Sequence, residues 1–180
     1  MSFRYCPCCG GSLTRAELGD RPRLACPDPD CGHVFWNNPT PVVGAVVERE
    51  GRIVLARNVA WPAGMFGLIT GFLEAGESPE EGVVREVKEE LDLDGEVREL
   101  IGIYPFYTKN QILICYHVEA EGDIRHNEEL AESLCLPPAS VRYWPSSTGW
   151  AMKDWLEARG HTPERIELPE AIRVGLDPRD

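Results

Sequence analysis

Three carboxylates crowd one short stretch of this chain, Glu86, Glu89 and Glu90 in Val83-Val-Arg-Glu-Val-Lys-Glu-Glu-Leu91. Wound as a helix, they fall within an arc of roughly 100° beside an apolar stripe. Like charges at i, i+4 destabilise a helix by about 0.2–0.5 kcal/mol per pair, so the cluster carries a cost. A solvated surface face would account for many Glu-rich helices, and Arg85 can pair with Glu89 as ordinary surface chemistry. The preceding residues argue for more. Gly71-Phe-Leu-Glu-Ala-Gly-Glu77 is a glycine-bounded loop that runs directly into the helix. A loop carbonyl and clustered carboxylates are hard oxygen ligands suited to Mg²⁺ or Mn²⁺, with substrate phosphates filling the remaining positions.

A second group of chemically capable residues lies at the N-terminus. Five of the seven cysteines are Cys6, Cys8, Cys9, Cys26 and Cys31. Cys6 and Cys9 form a CxxC knuckle, and Cys26 and Cys31 form a second pair after sixteen intervening residues. This spacing predicts a structural Zn²⁺ held by Cys6, Cys9, Cys26 and Cys31, with glycines after each pair exposing backbone amides to sulfur. Disulfides are the competing reading, disfavoured because nothing marks the chain as secreted. Cys8 in place of Cys9, or His33 as a ligand, stays open. Cys115 and Cys135 stand in apolar surroundings and read as small core residues.

The elements that must position these groups can be read from pattern. Ser78, Pro79 and Glu81 make a capping box at the start of a helix over Pro79–Leu91, whose Val84, Val87 and Leu91 should pack on a sheet. Residues 42–48, 52–57, 97–104 and 112–119 read as strands, and 65–73 as an extended stretch. A short helix is expected near 127–132 and a final one over Thr148–Ala158. Strands interspersed with helices imply an α/β domain with a mixed sheet. The chain is therefore divided into residues 1–38 as a zinc ribbon, 39–162 as the main domain, and 163–180 as a C-terminal arm or tail.

Composition narrows the function classes. At 180 residues with 43% hydrophobic content, the chain suits one well-packed domain and a small satellite. No apolar run is long enough to span a bilayer, and no apolar signal region opens the chain, so a cytoplasmic protein without a membrane partner is expected. The net charge of −12 argues against nucleic acid as the main partner. Residues 1–38 are formally neutral, Arg4, Arg15, Arg21 and Arg23 against Glu17, Asp20, Asp28 and Asp30. The remainder carries the excess acid.

The stretch from Gly71 to Leu93 resembles the Nudix box, G-x5-E-x7-R-E-U-x-E-E-x-G-U, where U is aliphatic. Gly71, Glu77, Arg85, Glu86, Val87, Glu89, Glu90 and Leu93 match in register, and Asp92 stands where the motif has glycine. Aspartate tolerates the left-handed turn expected there better than most residues. The resemblance implies a Nudix-like α/β/α sandwich that hydrolyses a nucleoside diphosphate linked to another moiety, using Mg²⁺. Glu86 and Glu90 would be the central metal ligands, joined by Glu89 and the Gly71 carbonyl. Arg85 would orient the carboxylates, and Glu77 would support the loop. A ribbon before such a domain further resembles the NADH pyrophosphatase branch, in which Glu129 matches an additional metal-binding glutamate.

That branch carries the signature S-Q-P-W-P-F-P-x-S, aligned here with residues 101–109. Pro105 and Phe106 are identical, and Tyr104 stands for the tryptophan. Tyr104 and Phe106 are thus candidates to stack on a base, against the equal alternative that they are core residues of a strand. Asn110 and Gln111 could read a base or ribose, although a hairpin turn accounts for them. The expected partner is a small-molecule nucleotide such as NADH, NAD, FAD or ADP-ribose, with a homodimer left open. Alternatives are a pyrophosphohydrolase that cleanses the nucleoside triphosphate pool, a non-enzymatic nucleotide reader, and a zinc-ribbon nucleic-acid module.

Overall fold

Strand β4 (Thr40–Arg49) explains the layering of the molecule. Its run Val42-Val-Gly-Ala-Val-Val47 is apolar at consecutive positions, the pattern of a strand buried on both faces. Val43, Ala45 and Val47 belong to one hydrophobic cluster. Val46 belongs to a second, and Val42 to a third. The computed structural model describes residues 3–167 and divides the chain after Asn38 into two units.

The larger unit adds β5 (Arg52–Asn58), β6 (Ile69–Phe72), β7 (Asp94–Phe106), β8 (Gln111–Glu121) and β9 (Leu130–Leu136). They form a six-stranded sheet of order β7-β8-β4-β5-β9, with β6 also paired to β4. The β4–β8 pairing is parallel and the others are antiparallel, so the sheet is mixed. Helix α1 (Pro79–Leu91) covers one face with Val83, Val87 and Leu91. Helix α2 (Thr148–Ala158) covers the other with Ala151, Met152, Trp155 and Leu156. This is the expected α/β/α sandwich. The buried stripe of α1 runs through Val83, while Val84 is half-buried at its margin.

In the smaller unit, β1 (Thr14–Leu18), β2 (Arg21–Ala25) and β3 (Val34–Phe35) make a three-stranded antiparallel sheet. Among the described residues no helix is long and apolar enough to cross a membrane. The expected arm begins within the described part: Ile166 donates its N–H to the Tyr143 carbonyl at 2.8 Å. Residues 168–180 lie outside the described residues.

One expectation needs correction, and one open choice is decided. The helix expected near 127–132 is a turn followed by β9, which pairs with β5. Asn127 Oδ1 accepts the Glu129 N–H at 3.0 Å, a local bond that competes with helix formation. Of the two readings held equal for Tyr104, stacking residue or core, the fold places it in the core. It is 6% exposed, packs with Val42, Leu113 and Ala151, and donates its hydroxyl to Asp154 Oδ2 at 2.7 Å. Phe106 is half-buried against the same cluster. Tyr104→Ala is expected to lower stability by about 3 kcal/mol, the cost of emptying a large aromatic site. Thermal melting would read this, and an unchanged Tm would place the side chain outside the core.

Candidate metal and phosphate site

The site grows from one backbone pairing. Strand β6 lies against β4 with Gly71 opposite Val43, which brings Gly71 beneath α1. A Cβ built on Gly71 would fall on the Glu86 carboxylate. Glycine is needed here for space, and the Glu86 head occupies the place of the missing side chain.

Helix α1 starts where its sequence says it should. The Ser78 hydroxyl accepts the Glu81 N–H at 3.2 Å, and Glu81 accepts the Ser78 N–H at 2.8 Å. One turn on, Arg85 uses its whole guanidinium. Its Nε donates to Glu77 Oε2 at 3.0 Å and Nη2 to Glu77 Oε1 at 2.8 Å, a two-pronged grip. Nη2 also reaches the Phe72 carbonyl at 3.1 Å. Nη1 donates to Glu86 at 2.8 Å and to Glu89 at 3.1 Å. Loop, helix and two carboxylates are thereby tied to a single cation.

The far end of α1 positions the last carboxylate. Helix ends leave carbonyls without intrahelical partners. Here the Arg125 N–H bonds to the Leu91 carbonyl at 2.9 Å, and the Asn127 N–H to that of Glu90 at 3.3 Å. Val59 N–H holds the Glu129 carbonyl at 2.8 Å. Glu129 so comes close enough to repel both Glu86 and Glu90 electrostatically. Asp92, at the position of the motif's glycine, adopts the left-handed conformation, φ 57°, and Lys88 pairs with it at 3.0 Å.

Charge in the cluster is unbalanced. The Arg85 grip, aided by the Glu74 amide, holds the Glu77 carboxyl down to about 2. Burial pushes Glu90 up to about 8, and repulsion from Glu86, Glu129 and Glu89 adds to it. Burial also raises Glu86, with Arg85 opposing. Arg85 is already engaged by Glu77, so the remaining carboxylates face one another without enough positive charge. This donor set of hard oxygens fits a divalent cation.

In the ribbon, the four sulfurs of Cys6, Cys9, Cys26 and Cys31 lie within 4.8 Å of one another. Cys6 and Cys31 are 3.6 Å apart, Cys9 and Cys26 3.5 Å. Tetrahedral zinc with bonds of about 2.3 Å requires sulfurs about 3.8 Å apart, so the set fits Zn²⁺ with little adjustment. The Cys8 N–H points to the Cys6 sulfur at 3.4 Å, as a metal knuckle provides. Cys8 itself turns to His33 Nδ1 at 3.6 Å, outside the four-sulfur set.

Other sequence candidates are not brought to the carboxylates. Asn110 takes a left-handed turn, φ 51°, after Tyr107–Lys109, and its carbonyl accepts the Thr40 N–H. Gln111 opens β8 opposite Thr40. Sequence reasoning passed over Phe72. It is 58% exposed although strongly apolar, follows Gly71, and lends its carbonyl to Arg85. Strand alternation offered the signal, since a buried Gly71 face sends Phe72 to the other side.

The comparisons agree with this geometry. A family profile described as the NUDIX domain matches residues 38–157. A NAD-capped RNA hydrolase NudC of Mycobacterium bovis (strain BCG / Pasteur 1173P2) is 31% identical over 151 residues, covering 82% of this chain and 46% of that protein. One from Pseudomonas aeruginosa (strain LESB58) is 33% identical over 143 residues, covering 75% and 50%. The chain spans about half the length of these curated relatives. A NUDIX hydrolase structure from Nitrosomonas europaea superposes with a TM-score of 0.72 at 25% identity, covering 92% of this chain and 97% of that one. An ADP-ribose pyrophosphatase from Streptococcus suis 89-1591 shares the fold, with a TM-score of 0.55, 21% identity and coverage of 72% and 100%. With its box on one helix, its sandwich and a profile match over more than half its length, this chain belongs to the Nudix family.

Proposed function

We propose that the protein is a Mg²⁺-dependent pyrophosphohydrolase that cleaves the diphosphate of a dinucleotide or ADP-linked compound. One observation carries the reading: the Glu86 carboxylate lies against Gly71, and Glu86, Glu129 and Glu89 all repel a buried Glu90, while the one arginine among them is shared with Glu77. Glu86 and Glu90 would hold the metal, and Glu89, Glu129 and the Gly71 carbonyl would be the further oxygen ligands within the same region. A divalent ion bound there neutralises the diphosphate and lowers the pKa of an attacking water. Arg85 is a positioning residue. By fixing Glu77 and Glu86 together it keeps the loop carbonyl and the helix carboxylates in one register.

The substrate class draws on the curated relatives, whose names specify NAD-capped RNA. A dinucleotide diphosphate is common to NAD, NADH, FAD and such a capped end, and ADP-ribose shares its ADP half. With Tyr104 in the core, Phe72 is the exposed aromatic next to Gly71, on the face of β6 turned away from Glu86, so it would stack a base only of a substrate that reaches across the strand. The tetrathiolate ribbon holds zinc structurally, since four protein ligands leave no position for water. Reduced thiolates of this kind fit a cytoplasmic setting. An intact carboxylate set opposes a role confined to binding.

Glu90→Gln is expected to lower Mg²⁺-dependent turnover of NAD or ADP-ribose by about 10²-fold or more, given what metal charge contributes. A screen with products identified by mass would test the class, and oxidised purine triphosphates outpacing every dinucleotide would overturn it. The same substitution has a signature without metal. Burial and its carboxylate neighbours raise Glu90 from the ordinary glutamate range near 4.5 to about 8 in the folded chain. Between those values the native state holds an extra proton, so this stabilising contribution is full below about 4.5 and is lost as pH rises toward 8. Melting curves in chelator should show the wild type losing more stability over that interval than Glu90→Gln does. Equal slopes would mean that Glu90 is not strained by its neighbours.

Phe72→Ala should raise KM by an amount consistent with about 1–3 kcal/mol per stacked base while leaving Tm unchanged. A normal KM would remove the stacking role. Metal analysis of protein grown with zinc should find about one equivalent per chain, as a four-sulfur site dictates. Cys26→Ser should lose it together with the ribbon's fold, whereas Cys8→Ser should keep it.

A further inference from the structure

The ribbon's formal neutrality conceals a separation of charge. Asp28 and Asp30 lie in the zinc loop between Cys26 and Cys31, and Glu17 and Asp20 lie toward the β1–β2 hairpin. Arg15, Arg21 and Arg23 instead line one concavity together with Phe35 and Trp36, and no carboxylate lines it. Its volume is about 490 Å³, within the range of small-molecule sites. The pairing of the strands creates it. β3 pairs only with Leu24 and Ala25, so the edge of β2 from Arg21 to Arg23 has no strand beside it on that side.

Two features distinguish this concavity from a solvated basic surface. Trp36 is 53% exposed yet held in place, because the Arg23 guanidinium lies 4.7 Å from its ring centroid and Nη1 donates to its carbonyl at 2.9 Å. The Arg23 Nε is buried and lacks a hydrogen-bond partner among the described residues. A buried N–H without an acceptor is costly, so the Arg23 guanidinium is left short of negative charge at the wall of the concavity. Among the described residues the one acidic neighbour ion-paired to the group is Asp20, 3.9 Å from Arg21 with both side chains largely in water, a weak and screened pair.

We propose that this concavity binds a nucleotide unit, a phosphate carried on a planar base, with Arg15 and Arg21 taking the phosphate and Trp36 stacking the base. Arginine matches phosphate oxygens bidentately, and an aromatic face accepts any base. The site lies wholly within the ribbon, uses none of the carboxylate cluster, and does not depend on the reaction proposed above. The unit comes either from a free nucleotide or from a single-stranded RNA, and affinity separates the two sources.

The test is calorimetric titration of the full-length, zinc-loaded protein without added Mg²⁺, using AMP, a short oligoadenylate RNA and inorganic phosphate. AMP or the oligoadenylate is expected to bind more tightly than phosphate, with affinity falling as salt rises. Tighter binding of the oligoadenylate identifies a strand as the source, and equal binding identifies a free nucleotide. The Arg15→Ala/Arg21→Ala variant should weaken binding about tenfold, as should Trp36→Ala, while both retain zinc and the dinucleotide turnover of the wild type. Binding unchanged in both variants, or AMP and RNA no tighter than phosphate, would overturn the site. Binding that persists in a protein without hydrolytic activity would sink only the proposed reaction.

Discussion

Arg85 is the point on which the site's geometry depends. A guanidinium has five N–H donors in a rigid plane, and here all five find oxygen. The fork on Glu77 fixes the loop relative to the helix, the Phe72 carbonyl fixes the end of β6, and the other nitrogen fixes Glu86 and Glu89. Lysine would supply the charge but not the plane, so a Lys in this position would leave most of these contacts unmade. The arrangement also explains why repelling carboxylates survive on one helix. Part of their repulsion is offset by a cation that is itself anchored outside the helix, on Glu77.

That anchor works only because the sheet presents β6 at the right place. β4 is buried on both faces and pairs with β5, β6 and β8, so it holds the centre of the sandwich rigidly. Two glycines then permit close approach. Gly44 lets the Cys115 sulfur and Thr148 pack against β4, since a Cβ there would meet that sulfur at 3.1 Å. Gly71 yields its side-chain volume to Glu86. Burial pushes the Cys115 thiol up to about 12, which fits a core role and not a reactive one.

Much of this was legible in the residues because the informative signals are local. Ser78, Pro79 and Glu81 mark the start of α1, and the four cysteines mark the ribbon by spacing alone. The bounds of α2 follow from its apolar positions. What was not legible depends on tertiary context. The Asn127–Glu132 segment has helix-forming glutamates, yet Asn127 bonds its own loop and the following residues complete an edge strand beside β5. Tyr104 lies on a strand whose two faces differ in burial, and only the position of α2 with Asp154 decides which face it joins. Val83 joins the buried stripe, and Val84 packs against it from the margin, for the same reason: the angle at which a helix meets its sheet is not written in its periodicity. Glu129 is indicated in the sequence through the family resemblance alone; it is distant in sequence from α1, and the backbone bonds at the helix's C-terminal end are what bring it near Glu90.

The distribution of charge completes the physical picture. A chain of net charge −12 repels anions on approach, and under the proposed function its most crowded carboxylates would lie beside the diphosphate. Both difficulties have one remedy, because a divalent cation offsets the mutual repulsion of Glu86, Glu90 and Glu129 and offers its open positions to phosphate oxygens. Metal binding and substrate binding are therefore linked through the same charge. Burial sharpens the linkage: a carboxyl raised to about 8 gives up its proton reluctantly near neutrality, so occupancy by metal and loss of that proton must rise together with pH. Under the proposed function the crowding of these carboxylates would therefore favour occupancy by an ion and, through the ion, by an anionic substrate.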